Sequence, residues 1–345
     1  MDATSPSMMR REIDEAGDAV ARQLEANADA AREWGRRLRA LRPPVVVTNA
    51  RGSSDHCALY LKYLVEIALG APCASIGPSI ASLYKAPLRL ERAVAVSISQ
   101  SGRSPDIVAM QRAAKQAGAA TLALVNDVDS PLARGADGLL PLWAGPERSV
   151  AATKSMIAGL VAGASLVQAW NEDAALAAGL AELPDRLRGQ TTPPPDQMIE
   201  FVASARSGFV LGRGATFAIA AEAALKLKET SGIHAEAFSA AEVLHGPAEL
   251  IGPGFPVIAF IPADEAREQM EDTLRRLAEM GARILRIEAG HGDEEARLAS
   301  AAIGPAPLAP IAMIHRFYGL AEAVARRLGR DPDRPANLRK VTETR

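Results

Sequence analysis

The chain has 345 residues, of which 48% are hydrophobic and 23% are charged, so it is long enough to form two ordinary globular domains. Its formal net charge at pH 7 is -2, and the sequence contains no dense run of lysine and arginine. Because nucleic-acid phosphates are bound mainly by basic patches, this composition argues against a nucleic-acid partner.

The sequence also argues against secretion and membrane insertion. The N-terminal residues MDATSPSMMRREIDEAG mix charges from the start and offer no apolar core for a signal peptide. The most apolar stretch, residues 155–170, is too short and too interrupted for a membrane span and is predicted to be a buried helix. Cys57 and Cys73 lack CxxC spacing and fit a reducing compartment. We therefore expect a cytoplasmic protein.

The first half of the chain alternates helix and strand patterns. Apolar side chains over residues 9–40 are spaced to form one face of a helix, which Pro43-Pro44 ends. The run VVVTNA that follows is predicted to be a fully buried parallel strand. Next come the loop ARGSS, a helix through LKYLVEIAL, a short apolar turn region, the strand AVAVSI, the loop SQSGRSP, a helix to about Gln116 and the strand ATLALV. This alternation predicts a parallel sheet covered by helices on both faces.

The same order of elements returns in the second half. GFVLGRGA predicts a strand and turn, AAEAALKLKE a helix, PVIAFIPA a strand, EAREQMEDTLRRLAEM a helix and ARILRI a strand. Arg51-Gly52 recurs as Arg213-Gly214, 162 positions later, so we infer two copies of one α/β unit. RGQTTPPPDQ is the natural linker, because three consecutive prolines cannot continue a helix or a central strand.

We therefore predict an α/β fold in which two tandem domains each contain a doubly wound, flavodoxin-like parallel sheet flanked by helices. The copies differ in the loop after their second predicted strand. The first has SQSGRSP, whereas the second has IPADEAR, whose Asp264 and Glu265 would repel a phosphate. The predicted boundaries are an N-terminal helical segment (1–42), a first domain (43–187), the linker (188–197), a second domain (198–330) and a C-terminal tail (331–345).

The loop SQSGRSP joins a strand to a helix and is a candidate anion-binding site. Pro105 suits the first helical turn and Ser104 the N-cap, so hydroxyls and free backbone N–H groups point into the crevice at the carboxyl end of the strand. A serine and glycine turn without a ligand explains this loop alone equally well. Ser53 and Ser54 follow the preceding strand and would reach the same crevice, which favours phosphate binding.

Charged residues in the second half form another candidate site. Glu222, Lys226 and Glu229 are spaced at i, i+4 and i+7 and therefore share one stripe of a predicted helix over residues 222–229. A surface stripe of weak ion pairs is the simpler interpretation. This helix directly follows a glycine-containing strand end, however, which would bring its first turns near the ligand crevice.

The segment HAEAFSAAEVLHGP holds two of the five histidines. His234 and His245 are eleven residues apart, and neither has the neighbouring histidine or CxxC pair typical of zinc sites. Metal binding is therefore a weaker interpretation than an acid/base role or polar decoration of a helix and its loop. Thr153, in the loop ERSVAATKS before an apolar helix, is predicted to be a helix cap or a ligand contact.

Four segments together resemble a known family: LKLKETSGIHAEAFSAAEVLHGPAELI, SQSGRS, VAATK and DPDRPANLRKVTET. They are similar to the isomerase half of glutamine–fructose-6-phosphate aminotransferase, a pair of sugar isomerase (SIS) domains, over nearly the whole chain. Because no glutaminase domain precedes Met1, the chain looks most like the stand-alone SIS-type glucosamine-6-phosphate deaminases. The resemblance implies conversion of glucosamine 6-phosphate and water to fructose 6-phosphate and ammonia, with neither a metal nor an organic cofactor.

The resemblance also implies roles for individual residues. Glu229 matches the base that moves a proton between C1 and C2 of the open-chain sugar. His245 matches the histidine that opens the pyranose ring from a neighbouring subunit, which implies a homodimer with shared sites. Lys340 matches the tail lysine that forms an imine with the sugar carbonyl, and Lys226 and Glu222 match residues that orient this site. The remaining matches are the phosphate-binding positions Ser99, Gln100, Ser101 and Ser104 and the sugar-contact positions Ser53, Ser54, Val150 and Ala152.

Four positions depart from the aminotransferases. Arg51 stands in place of a cysteine, Arg103 in place of a loop glutamate, Ala152 in place of a serine and Ala336 in place of an arginine near the tail lysine. An extra arginine near the loop is electrostatically compatible with phosphate. We therefore expect the phosphate loop to be retained, while the identity of the sugar and any channel for ammonia stay open.

Other functions also stay open. A deglycase acting on fructosamine phosphates, or a glucosamine-6-phosphate synthase using free ammonia, would share the fold. A non-catalytic sugar-phosphate sensor is a third alternative, because fold alone does not fix function. Residues 1–42 are too short and too weakly basic for a DNA-binding domain, and a sensor would not need Glu229.

Overall fold

The computed structural model describes residues 5–190, 192–290, 293–294 and 296–340. Within these ranges the chain divides into two compact units. The first unit comprises residues 18–147 and 154–181, and the second unit comprises residues 5–17, 148–153 and 182–340. Residue 191 of the predicted linker and residues 341–345 of the predicted tail lie outside the described residues.

The N-terminal segment forms two helices where the sequence predicts one over residues 9–40. The first ends at Asp14, and Glu15 closes it through its N–H, which donates to the Arg11 carbonyl at 3.0 Å. The helices of this half of the chain are α1 (Met8–Asp14), α2 (Ala16–Leu41), α3 (Ser53–Leu69), α4 (Ser79–Ser82), α5 (Pro105–Gln116), α6 (Pro131–Gly135), α7 (Lys154–Asn171) and α8 (Ala174–Arg188).

Helix α7 confirms the buried helix predicted over residues 155–170, because nearly all of its residues are buried. Gly159 lets α7 approach α3 closely, since a Cβ atom there would lie 2.7 Å from the Cys57 Sγ atom. Across the described part of the chain, the structure has no helix that is long and apolar enough to span a bilayer.

The first unit contains a parallel sheet with the strands β1 (Val46–Asn49), β2 (Cys73–Ser75), β3 (Val94–Ser99), β4 (Ala120–Val125) and β5 (Gly138–Pro141). The strand order is β2-β1-β3-β4-β5, which is the flavodoxin-like order. All residues of β1 and β3 are buried, which explains why these strands read as continuous apolar runs.

The second unit repeats this arrangement. Its parallel sheet has the order β10-β9-β8-β6-β7, which matches the first sheet when counted from β6, so the predicted repeat and fold class are confirmed. The elements are β6 (Ser207–Gly212), β7 (His234–Ser239), β8 (Pro256–Phe260), β9 (Arg283–Ala289), β10 (Arg297–Ser300), α9 (Asp196–Ala203), α10 (Ala215–Lys226), α11 (Arg267–Glu279) and α12 (Ala309–Arg327).

The sequence does not predict β2, β5, β7 or β10, and all four are edge strands. An edge strand has one neighbour, and these four are short or partly exposed, so they lack a continuous apolar run. The segment HAEAFS is therefore strand β7, and the interpretation of this segment as a helix and its loop is wrong.

A buried histidine ties several parts of the second unit together. His315 lies in α12, whose residues are buried on nearly every side, and is itself 3% exposed. Its Nε2 donates to the Ile13 carbonyl at 3.0 Å, and its Nδ1 accepts from Gln190 Nε2 at 3.2 Å. The Gln190 side-chain oxygen in turn accepts from the Ala301 N–H at 2.7 Å. Because Gln190 presents a donor to Nδ1, a second ring proton has no acceptor there.

The folded protein should therefore lose stability on mild acidification. Burial lowers the pKa of His315 from 6.5 to about 4, so between these values the unfolded chain binds a proton that the folded chain does not. We expect the free energy of unfolding to fall by about 1.4 kcal/mol per pH unit below about pH 6.5 from this residue. Urea unfolding of the wild type and of His315→Gln at pH 7.5 and 5.5 measures this loss. Equal losses in both proteins would contradict the prediction.

Candidate active site

The predicted phosphate loop lies at the carboxyl end of β3, beside the end of β1. The Ser99 hydroxyl accepts from the Gly102 N–H at 3.0 Å, and the Ser101 hydroxyl accepts from the Arg103 N–H at 3.3 Å. Both hydroxyls therefore fix the loop as acceptors and keep their own protons for a ligand. Gly102 has φ +62°, and a Cβ atom there would lie 2.2 Å from the Ser130 hydroxyl oxygen, so only glycine fits.

Helix α5 begins at the end of this loop. Ser104 occupies the N-cap position and Pro105 the first helical position, as predicted. Among the described residues, however, the Ser104 side chain accepts no capping hydrogen bond, so the hydroxyl does not close its own helix. Gln100 is half-buried in the same loop. A helix N-terminus whose cap hydroxyl is not engaged in this way can present both hydroxyl and backbone N–H groups to an anion.

The loop after β1 lies next to the loop after β3. Ser53 and Ser54 are the first residues of α3 and are half-buried. Arg51 joins the two loops, because its Nε and Nη2 atoms donate to Asp106 Oδ2 at 3.1 and 2.8 Å. The two serine loops therefore meet where the chain leaves the neighbouring strands β1 and β3 toward opposite edges of the sheet, which is where ligands bind in such sheets.

The second departure from the aminotransferases, Arg103, points to a different carboxylate. Its Nε and Nη2 atoms donate to Asp127 Oδ2 at 3.1 and 2.6 Å, and its side chain is 55% exposed. The charge of Arg103 is thus already paired in this structure.

The charged stripe in the second unit is buried, so its interpretation as a surface stripe is wrong. Glu222 and Lys226 are both fully buried, and Lys226 Nζ lies 3.4 Å from Glu222 Oε1. Lys226 Nζ also donates to Glu229 Oε2. The Tyr318 hydroxyl, on α12, donates to Glu222 Oε1 at 3.1 Å. Glu229 differs from the other two, because 22% of its side chain remains exposed.

Lys226 is charged in this setting. Burial by itself lowers the pKa of the ammonium group, but the neighbouring carboxylates of Glu222 and Glu229 outweigh burial, and the pKa is raised from its ordinary value. An ammonium ion between two carboxylates leaves one negative charge in excess. Glu229 is the member that reaches solvent, so a reactant can meet this charge only there.

The local backbone explains how Glu229 is presented. Helix α10 ends at Lys226, and Leu227–Ser231 continues as a π-helical turn. The Thr230 hydroxyl donates to the Lys226 carbonyl at 2.8 Å, which occupies the acceptor that an α-helix would use. Gly232 then ends the turn with φ +64°. Such wider turns inside helices are frequent at functional sites.

The sequence predicts that the charged residues lie in the first turns of this helix, near the crevice. In the structure they lie at the carboxyl end of α10 and just beyond it. The helix begins at Ala215, directly after β6, and Glu229 follows fourteen residues later. At 1.5 Å per residue, Lys226 lies about 17 Å from the start of the helix. Because α10 runs back along the sheet, the π-helical turn lies near the amino end of β7, away from the crevice after β6.

The two histidines of the segment HAEAFSAAEVLHGP are separated in the structure. His234 is the first residue of β7, exposed at the amino end of the strand, and His245 is exposed in the turn that follows its carboxyl end. The His245 N–H donates to the Glu242 carbonyl at 2.8 Å. Within the ranges that the structure describes, no three histidine, cysteine or acidic side chains are grouped closely enough to hold a metal ion.

Val150 and Ala152 are half-buried and lie in a segment that Glu12 and Asp333 hold in place. The Glu12 carboxylate accepts from the Ser149 N–H at 3.3 Å, and the Val150 N–H donates to the Asp333 carbonyl at 3.0 Å. The Asp333 carboxylate caps α1, accepting from the Met9 N–H at 2.7 Å. The sequence gives no signal for these long-range bonds. Lys340 is the last residue described and is half-buried.

Comparisons with known proteins agree with this double architecture. Residues 45–169 and 201–309 match the SIS domain family. The chain is 37% identical over 324 residues to a glutamine–fructose-6-phosphate aminotransferase (isomerizing) of Symbiobacterium thermophilum, covering 88% of this chain and 52% of that protein. The chain spans about half the length of the curated relatives it matches.

Two solved structures share the fold. One, from Silicibacter pomeroyi DSS-3 and provisionally described as a phosphosugar isomerase, is 44% identical with a TM-score of 0.89 and covers 95% of this chain and 100% of that chain. The other, glucosamine-6-phosphate deaminase from Thermotoga maritima, is 21% identical with a TM-score of 0.77 and covers 98% of this chain and 100% of that chain. At that identity, the second likeness concerns the fold alone.

Two parallel sheets of one topology, each with helices on its faces, define a tandem doubly wound α/β protein. The family match covers more than half of the residues, and the sequence identity to the aminotransferase extends it over most of the chain. The chain therefore belongs to the SIS-domain family.

Removing the charge of Lys226 should destabilise the second unit. Lys226→Met leaves the fully buried Glu222 without its cation, and we expect the free energy of unfolding to fall by about 3–5 kcal/mol. Lys228→Met is the matched control, because Lys228 is exposed and donates to the Ala235 carbonyl at 2.9 Å. The control should lose no more than about 1 kcal/mol. Urea unfolding compares the two, and similar losses would show that the buried cation is not a special contributor.

Proposed function

We propose that the protein is an amino-sugar phosphate deaminase and isomerase, which converts glucosamine 6-phosphate and water to fructose 6-phosphate and ammonia. The observation that carries this proposal is the buried Lys226, which holds two carboxylates and leaves one of them, Glu229, partly open to solvent. The names of the relatives, an isomerizing aminotransferase and a phosphosugar isomerase, support chemistry on a sugar phosphate.

The proposed proton transfer uses Glu229. After the ring opens, C1 is an aldehyde and C2 carries the amino group and one hydrogen. Glu229 removes the C2 proton and returns it to C1, while the amino nitrogen loses one proton and the aldehyde oxygen gains one, so that C1 becomes a hydroxymethyl group and C2 an imine. Water then adds to the imine and ammonia leaves, giving the ketone at C2. Lys226 orients the Glu229 carboxylate for the first step, and Lys340 is the proposed amine for imine exchange at C2.

We propose that His245 opens the sugar ring in a site of a second copy of the chain. Strand β7 lies between the π-helical turn that contains Glu229 and the turn that contains His245. Six strand residues extend about 17 Å, which is longer than one sugar ring. A homodimer that exchanges this histidine would bring both groups to one substrate, and the exposure of His245 in the isolated chain supports the proposal.

The phosphate is assigned to the loops of the first unit. Ser99, Ser101 and Ser104 offer hydroxyls, and the start of α5 offers the positive end of a helix. This arrangement supports binding of a phosphomonoester. The proposed contributors are Ser99, Gln100, Ser101 and Ser104 for the phosphate, and Ser53, Ser54, Val150 and Ala152 for the sugar.

The reverse reaction, synthesis of glucosamine 6-phosphate from fructose 6-phosphate and ammonia, is the second candidate. The 37% identity to an aminotransferase favours it, because that enzyme's name describes amino transfer to fructose 6-phosphate together with isomerisation. The same Glu229 would then move the proton from C1 to C2.

A substrate panel distinguishes these functions. The protein is mixed with glucosamine 6-phosphate, N-acetylglucosamine 6-phosphate, a fructosamine 6-phosphate adduct or fructose 6-phosphate with ammonium chloride, and ammonia and hexose phosphates are measured. Release of ammonia and fructose 6-phosphate from glucosamine 6-phosphate is the expected result. Turnover of the adduct alone, or no turnover of any phosphate, would refute the deaminase assignment.

Glu229→Gln should lower kcat by about a hundredfold or more, because the amide cannot take the C2 proton. The KM for glucosamine 6-phosphate should change little, since the phosphate loop is untouched. Glu236→Gln is the matched control: Glu236 is an exposed carboxylate on β7 and should keep kcat within about twofold. Ammonia release at saturating substrate compares the two variants. A Glu229→Gln protein with more than a tenth of the wild-type kcat would rule out this base.

A further inference from the structure

The crevice between β1 and β3 contains an unexpected negative charge. Helices α3 and α5 both begin there, and each carries an aspartate in its first turn, Asp55 and Asp106. Asp106 is 2% exposed, so its charge is poorly screened by solvent. A carboxylate at a helix N-terminus takes up the same positive dipole that would bind a phosphate. Asp106 alone would therefore weaken the binding of a dianion at the adjoining serine loop.

Arg51 offsets this charge. Its Nε and Nη2 atoms both contact Asp106 Oδ2, while Asp106 Oδ1 accepts from the Ile107 N–H at 2.8 Å. Arg51 also acts on Asp55: burial, the largest effect, raises the pKa of this carboxyl, and the charges of His56 and Arg51 lower it. The guanidinium group thus contacts Asp106 directly and acts on Asp55 through its charge alone. With 54% of its side chain exposed, it also presents positive charge at the mouth of the crevice.

Among the described residues of the second unit, the equivalent arginine has a different partner. Arg213 precedes Gly214 as Arg51 precedes Gly52, and the two glycines have nearly the same conformation, with φ/ψ of 59°/-136° and 56°/-134°. Arg213 Nη1 contacts a neutral group, the Ser239 hydroxyl, at 3.0 Å. The arginine–carboxylate pair therefore accompanies the copy that has the serine loop.

We propose that Arg51 is a specificity-determining residue of the phosphate site, which neutralises Asp106 and thereby allows the serine loop to take a phosphomonoester dianion in place of an uncharged sugar. The inference rests on the proposed assignment of the phosphate to this loop. It assigns Arg51 a role through Asp106, so Arg51 is a positioning residue and its effect should depend on the charge of Asp106.

The test measures binding of inorganic phosphate to the full chain by calorimetry, independently of turnover. Arg51→Gln should raise the Kd for phosphate about tenfold, and Arg51→Lys should stay within about threefold of the wild type because the charge is kept. In the double variant Arg51→Gln/Asp106→Asn, removal of the uncompensated carboxylate should restore binding to within about threefold of the wild type. Arg213→Gln is the matched control and should bind phosphate as the wild type does.

Two results would overturn the inference. One is unchanged phosphate affinity in Arg51→Gln. The other is a double variant that binds as weakly as Arg51→Gln, which would show that Arg51 does not act through Asp106. Urea unfolding of each variant separates a folding defect from a binding defect, and the double variant removes both charges together.

Turnover separates this inference from the proposed function. With glucosamine 6-phosphate, Arg51→Gln should raise KM about tenfold and leave kcat within about twofold. If the wild type binds phosphate and the variants follow the expected order but no ammonia is released, the deaminase assignment fails and the role of Arg51 stands. If the wild type binds no phosphate, the phosphate loop and the role of Arg51 both fail.

Discussion

The buried ammonium group of Lys226 is the constraint on which the second unit depends. Two carboxylates and one cation are enclosed within a helix end, and each buried charge has a partner: Lys226 contacts both glutamates, and Tyr318 donates a hydrogen bond to Glu222. Moving such charges out of water is costly unless every one is compensated. The compensation ties α10 to α12 and fixes the π-helical turn, so the position of Glu229 is set by the packing of the whole unit.

The repeat of one topology has produced two different crevices. In the first unit, the crevice holds serine hydroxyls and a helix start whose cap hydroxyl accepts no capping bond among the described residues. In the second unit, Arg267 at the start of α11 forms an ion pair with Glu288 of β9 at 2.6 Å, and Arg286 bridges Glu271 and Glu288. The two arginines and the two glutamates of this network pair with one another. The second unit instead carries a partly exposed carboxylate, Glu229, beyond the far end of α10, so the two copies differ in their polar side chains although their folds are alike.

The central features of the fold are predictable from sequence because burial on both faces produces continuous apolar runs, as in β3 and β4. The edge strand β7 is not, because half of its residues face outward and resemble a polar helix or loop. The charged stripe at 222, 226 and 229 is visible as a spacing, but spacing alone does not reveal its burial. That depends on α12, whose Tyr318 lies 96 residues away in the chain. The link between Asp333 and α1 is equally long-range and leaves no local pattern.

Strand β7 also constrains how such a chain can assemble a complete site. Glu229 precedes the strand and His245 follows it, so a rigid six-residue strand keeps the two side chains apart in one copy. The two side chains could meet within one copy only if this segment left the sheet. It would then lose its pairing with β6, which extends over the whole strand. In a dimer with a two-fold axis, the His245 segment of one copy can reach the Glu229 of the other copy without that loss. The same symmetry brings the second copy's His245 to the first copy's Glu229. On the proposed function, the separation imposed by β7 is therefore a reason for a homodimer with two equivalent sites.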